Sequence, residues 1–185
     1  MGGNEREEKA VVLDFLQHGY PFDKRPSHKK TAIVQAIGVS HFTLLELVPK
    51  PGVFLQPYEE VYIGADKRDK IHHISGKLVF SKMTTTANAE LKHVVDDLIT
   101  KNETQFIEFF NKAAPLTTRM HQLELLPGLG KKHMWEIIEE RKDKPFENFA
   151  DLKSRVKLMP DPKTVVIKRV LSELEGNEKY RLFVD

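Results

Sequence analysis

"LELLPGLGKKHMWEIIEER", Leu123–Arg141, places two glycines two residues apart where an apolar helical pattern would otherwise continue. Leu123 and Leu126 before the break, Leu129 within it, and Met134, Ile137 and Ile138 after it form one apolar stripe. Two helices joined by four residues must reverse inside that turn, and Gly128 and Gly130 provide the backbone angles at little steric cost. Glycine also removes the side chains that would hold a ligand away. The amides of Gly128, Leu129, Gly130, Lys131 and Lys132 can then face a phosphate oxygen. Lys131 and Lys132 stand in a first helical turn, where the helix dipole disfavours a cation by about 0.3–1 kcal/mol. An anionic partner would offset that cost, although the apolar stripe serves plain packing of two helices equally well.

The stretch "LLPGLGKKHMWEII" resembles the helix-hairpin-helix motif, here spanning 116–141, in which a glycine turn grips nucleic-acid backbone without reading bases. "FENFADLKSRVKLMPDPKTVVIKRVLSEL", Phe146–Leu174, resembles the second copy that pairs with the first, with one helix near Ala150–Val156 and another from Pro162. Its turn departs from the pattern. Met159, Pro160 and Asp161 replace the glycines, Pro160 and Pro162 lack amide donors, and Asp161 would repel a phosphate while capping the next helix. Binding is therefore expected at the first turn alone.

Upstream, Leu91, Val94, Val95, Leu98 and Ile99 form one apolar stripe, and Asn102 with Gln105 suggests a capping box opening a second helix that Pro115 ends. A third helix is expected at about Thr118–Leu126. On it Arg119 and His121 would face different ways and serve capping or packing as well as RNA contact. Between Thr31 and Met83 the pattern changes: "TAIVQAIGV", "FTLLELV", "EEVYIG", "KIHHI" and "GKLVFSKM" are short β-rich runs separated by turn residues. Five such strands predict a small OB-like barrel of the oligonucleotide- or oligosaccharide-binding type. Before it, Val11, Val12, Phe15 and Leu16 suggest an amphipathic helix over Arg6–Gln17, followed by a basic loop. The expected architecture is α+β: an N-terminal helix and loop at 1–28, a barrel at 29–86, and an all-α domain with paired helix-hairpin-helix motifs at 87–185.

Within 185 residues, 40% hydrophobic and 30% charged, the net charge is only +2, so any basic surface must be local. Two such places are the turn carrying Lys67, Arg68 and Lys70, and the loop carrying Arg25, Lys29 and Lys30. Each could contact phosphate or simply be solvated. Phe42, Phe54, Tyr58 and Tyr62 are candidate base-stacking residues, although most should be core, and Trp135 reads as a packing residue. No cysteine is present, His72 and His73 should point to opposite faces of a strand, and His93 with Asp97, the only helical i, i+4 pair worth naming, has no third ligand, so no metal site is expected. No nucleotide-type glycine loop follows a strand and no catalytic serine or carboxylate pair is recognisable, so neither a cofactor nor an enzyme is expected. The N-terminus lacks the features of a signal peptide, and no run approaches the roughly 18–20 apolar residues that cross a bilayer. A cytoplasmic protein is the resulting expectation.

Across nearly the whole chain, "AIGVSHFTLLELVP", "VYIGADKRDKI", "EFFNKAAPLTTRMHQLELLPGLGKK" and "EKYRLF" are similar to an archaeal family of uncharacterised proteins, domain of unknown function 655. The resemblance implies a β-barrel joined to a helix-hairpin-helix domain, with RNA preferred over DNA as partner and a role in RNA maturation or translation. The residues leave a second class open: a protein-interaction adaptor in a ribosome-assembly or transcription complex.

Overall fold

The computed structural model describes residues 6–185. It divides into two compact units, one reaching to Val94 and including Leu174–Asp185, the other Val95–Glu173.

The first unit is built on a curled antiparallel half-barrel of five strands, β1 (Lys9–Leu16), β2 (Ile33–Gly38), β3 (Leu44–Pro49), β4 (Glu60–Tyr62) and β5 (Ile71–Lys77), in the order β4-β1-β2-β3-β5. The segment expected as an N-terminal helix is strand β1. It lies between β2, where Val11 faces Ile37, and β4, where Ala10 faces Val61. A strand flanked on both edges and covered on both faces loses the alternation that would mark it, so its apolar run imitates a helical stripe. Ala10 through Leu13 are all buried, and a bulge between Val12 and Asp14 breaks the register there.

The runs "KIHHI" and "GKLVFSKM", expected as two strands, are not separated by a turn. β5 continues through Ser75 and Gly76, and Phe80–Lys82 forms a 3-10 turn instead of a strand. Val12, Val34, Leu47, Leu55, Ile63 and Ile71 meet in the core of the half-barrel. Fully buried Gln35 is satisfied on every side: its Nε2 donates to Tyr20 Oη (3.1 Å) and Lys82 O (2.9 Å), and its Oε1 accepts from Thr84 N–H (2.9 Å). Thr84 Oγ1 accepts from Ala87 N–H and donates to Asp14, fixing the start of helix α1 (Thr85–Lys101).

The second unit contains the end of α1, then α2 (Glu103–Lys112), a hairpin of β6 (Pro115–Thr117) and β7 (Met120–His121), a 3-10 turn at Gln122–Leu125, and helices α3 (Lys131–Asp143), α4 (Phe149–Arg155) and α5 (Pro162–Leu174). Three local expectations change here. Asn102 forms no side-chain cap, because its Nδ2 donates back to Leu98 O (2.9 Å). Pro115 opens β6 after α2 has already ended at Lys112. Where a third helix was expected at Thr118–Leu126, the chain makes the hairpin and a single 3-10 turn, so the glycine turn is entered from a short 3-10 turn. Phe106, Phe110, Leu123, Ile137, Leu152 and Val166 are buried in this unit.

Candidate nucleic-acid interface

The approach to the glycine turn is held by a reciprocal pair of bonds. His121 Nδ1 accepts from Leu123 N–H (3.1 Å), and the Glu124 carboxylate accepts from His121 N–H (2.8 Å), a capping box around the 3-10 turn. His121 thus caps. Burial first, and then the Arg141 guanidinium, push its pKa down against the opposing pull of Glu124, so the imidazole stays neutral with Nδ1 as acceptor. The end of the same 3-10 turn is secured from α5, where Arg169 donates to Leu125 O (2.9 Å) and to the Glu173 carboxylate (2.9 Å).

Leu126 and Leu129 are buried, and Leu129 N–H is spent on Leu126 O (3.2 Å). Leu129 therefore anchors the turn, and the expectation that its amide faces a ligand is corrected. Gly128 has φ +79°, which only glycine adopts without strain. Gly130, the N-cap of α3, is extended, open on its Cα side and offers no capping side chain. The first bond of α3 is from Met134 N–H to Gly130 O (3.1 Å), which leaves the N–H groups of Lys131, Lys132 and His133 without intrahelical acceptors. Both lysines are exposed, no acid occupies the first turn, and among the described residues neither ammonium makes an ion pair. The result is a cluster of backbone donors beside two unpaired cations.

The turn between α4 and α5 shares two features with this one and differs in length and chemistry. Val156 and Met159 are buried like Leu126 and Leu129, and Leu158 takes the left-handed position of Gly128 with φ +60°. Leu158 is 88% exposed, a feature the pattern "LMPD" did not reveal because a positive φ was expected only at glycine. Asp161 caps α5 as expected: Oδ2 accepts from Thr164 N–H (3.1 Å) and Oγ1 (2.9 Å). Burial would raise the pKa of Asp161, but these bonds and the Lys153 ammonium outweigh it and hold the carboxyl below its usual range.

The other basic candidates belong to the first unit. In the β4–β5 turn, Arg68 closes its own loop by donating to Gly64 O (2.8 Å) and its carbonyl accepts from Lys50 Nζ, Lys70 pairs with Glu59 (3.3 Å), and Lys67 is exposed. In the β1–β2 connection Arg25 is bound by Asp23 through Nε and Nη2, while Lys29 is exposed and Lys30 half-buried. Lys67 and Lys29 keep the availability that a phosphate contact requires. Arg68, Lys70 and Arg25 are engaged within the protein.

Among the aromatic candidates, Phe42 is buried and Tyr62 half-buried, whereas Phe54 and Tyr58 are exposed. Trp135 is 58% exposed, against the expectation that it packs. His72 and His73 are both exposed, with Nδ1 atoms 2.7 Å apart. The register shift opposite Val48 and Pro49 breaks the alternation that would have separated them. Among the described residues no group of three or more His, Asp or Glu side chains could hold a metal, and no helix is long and apolar enough to cross a membrane.

Fold and site together define a mixed α+β protein in which a half-barrel unit and a helical unit carry separate basic loops, the helical one built around a glycine turn. The chain belongs to the family described as Protein of unknown function (DUF655), whose model matches residues 6–185. It is 44% identical over 180 residues to the uncharacterised protein MJ0038 of Methanocaldococcus jannaschii, covering 96% of this chain and 80% of that one. The crystal structure of Af1531 from Archaeoglobus fulgidus, of the same family, is similar at 43% identity with a TM-score of 0.86, covering 97% of this chain and 100% of that one.

Proposed function

We propose that this protein is a non-enzymatic nucleic-acid-binding protein of the cytoplasm, with RNA as its partner, that grips the phosphate backbone through the turn Gly128–Lys132 with little sequence specificity. The observation that carries the reading is the uncapped start of α3, where three N–H groups without intrahelical acceptors lie beside exposed, unpaired Lys131 and Lys132. On this reading the half-barrel is OB-like. The two turns are a helix-hairpin-helix pair whose first member has shortened its leading helix to a 3-10 turn, and the role is in RNA maturation or translation. Backbone amides offer nothing to base edges, so affinity should depend on salt more than on sequence.

The adaptor reading draws its support from exposed Trp135 and Leu158, apolar groups on the same unit. Replacing Lys131 and Lys132 together by glutamate separates the two. Loss of duplex RNA and DNA binding with an unchanged melting temperature supports the phosphate reading. Retention of parental affinity in the folded double variant refutes it in favour of a protein partner.

A further inference from the structure

We propose that the β1–β2 connection carries a second nucleic-acid contact of a different kind, a platform on which one unpaired base of a single strand stacks, formed by Phe22. The ligand class rests on the nucleic-acid reading above, but the contact uses neither the glycine turn nor its lysines.

Phe22 is 65% exposed, and yet it is held in place. Its ring lies nearly parallel to that of Tyr20, with centroids 4.9 Å apart and planes 11° apart. Tyr20 is itself buried and anchored through its hydroxyl to Gln35, whose remaining bonds reach Lys82 and Thr84. The backbone fixes the same geometry: Gly19 N–H donates to Leu16 O (3.1 Å) and Asp23 N–H to Tyr20 O (3.1 Å), so residues 20–23 form a tight turn. One face of the Phe22 ring is therefore covered by a rigid aromatic neighbour, and the ring remains largely open to solvent. Such an arrangement leaves apolar surface in water, and nothing within the described residues covers it.

Charge identifies the occupant. The segment Tyr20–Lys30 holds four basic residues against one acid, and that acid, Asp23, is consumed by Arg25. Lys24 and Lys29 are exposed and free for an anion. A flat apolar ring on the same short connection as two exposed lysines matches a nucleotide, whose base stacks while its phosphate meets a lysine. A duplex keeps its base faces stacked internally and cannot use the platform. An aromatic peptide would satisfy the ring but leave the lysines without a counter-charge.

The test uses the full chain, a single-stranded oligouridylate carrying one 2-aminopurine, and a blunt RNA duplex of the same length. Phe22→Ala is expected to abolish the stacking-induced quench of 2-aminopurine and weaken single-strand binding about tenfold or more, with duplex affinity and melting temperature unchanged. Phe22→Trp should restore both quench and affinity. Should Phe22→Ala fail to fold, Phe22→Leu keeps the bulk without the aromatic face and is expected to show the same loss. The proposal is overturned if the parent protein gives no quench, if the folded variants bind the single strand like the parent, or if single-strand and duplex affinities fall equally. The Lys131→Glu/Lys132→Glu protein keeps the two proposals distinguishable. It should lose duplex binding and retain the quench, and if it instead retains duplex binding, the glycine-turn reading fails while the Phe22 result stands on its own.

Discussion

Gly128 and Pro160 lie against one another: a β-carbon on Gly128 would sit 3.2 Å from Pro160 Cγ, so a side chain there would press the first turn against the second by a tight contact. The contact joins two turns of unlike chemistry, one rich in free amides and the other rich in proline. Gly128 has two reasons to be glycine, its φ of +79° and this contact, whereas Gly130 has neither.

Gly128→Ala is therefore expected to destabilise the protein by at least about 1–2 kcal/mol, from the left-handed backbone alone, with crowding against Pro160 added. Leu158→Gly should move in the opposite direction, by about 0.5–1 kcal/mol, because relief of its left-handed strain exceeds the entropy lost with glycine. Urea denaturation of both variants checks the pair. A neutral Gly128→Ala would show that the turn relaxes freely.

Gly130→Asp separates folding from binding. Aspartate is a better N-cap than glycine by a few tenths of a kcal/mol and complements the helix dipole by about 0.3–1 kcal/mol, so stability should rise. The same carboxylate stands where a phosphate is proposed to bind, and RNA affinity should fall steeply. Asp161→Ala is the counterpart on the other turn: about 0.5–2 kcal/mol of stability lost with the cap, and RNA affinity nearly unchanged. Thermal melts paired with salt titrations of RNA binding measure both, and a Gly130→Asp protein that binds like the parent would remove that amide cluster from the interface.

A pH dependence is expected from His121. Its folded-state pKa lies below 6.5, so the unfolded chain takes up the proton first and the stability from neutral His121 is complete above about pH 6.5. That contribution falls as pH drops from there toward the folded-state pKa. His121→Asn retains a short side-chain acceptor with no titration and should flatten this part of the profile. Melting temperatures from pH 7.5 to 5.0 for the two proteins give the comparison, and parallel profiles would exclude His121 as the source.

Arg169→Met breaks the ion pair with Glu173, in which both side chains are almost inaccessible, and also removes the bond to Leu125 O. A loss of about 3–5 kcal/mol is expected. Replacing Glu173 by methionine as well should recover part of it, since the pair is then removed as a whole and not broken. Denaturation of the single and double variants decides, and a double variant no more stable than Arg169→Met would point to the Leu125 bond as the dominant loss.

Short-range signals in the sequence determined much of this protein. The left-handed turn residue Gly128 in "PGLG", the Asp161 cap before Pro162, helix α1 and the β-rich character of Thr31–Met83 all follow from residues a few positions apart, because turn angles, caps and helical periodicity are local properties. Tertiary structure decided what depends on neighbours distant in the chain. β1 became a strand because β2 and β4 flank it, and the pairing that buries both its faces erased the alternation by which it would have been read. Thr118–Leu126 became a hairpin and 3-10 turn in which His121, Glu124 and Arg169 satisfy the backbone, although Arg169 stands far along the sequence. Exposure of Phe22, Trp135 and Leu158 was likewise invisible to pattern, since an apolar residue reads as core until the packing around it is known. The candidate lysines divided for the same reason: a sequence reports that Arg68 and Arg25 are cations, and only the folded chain reports that Gly64 and Asp23 already occupy them.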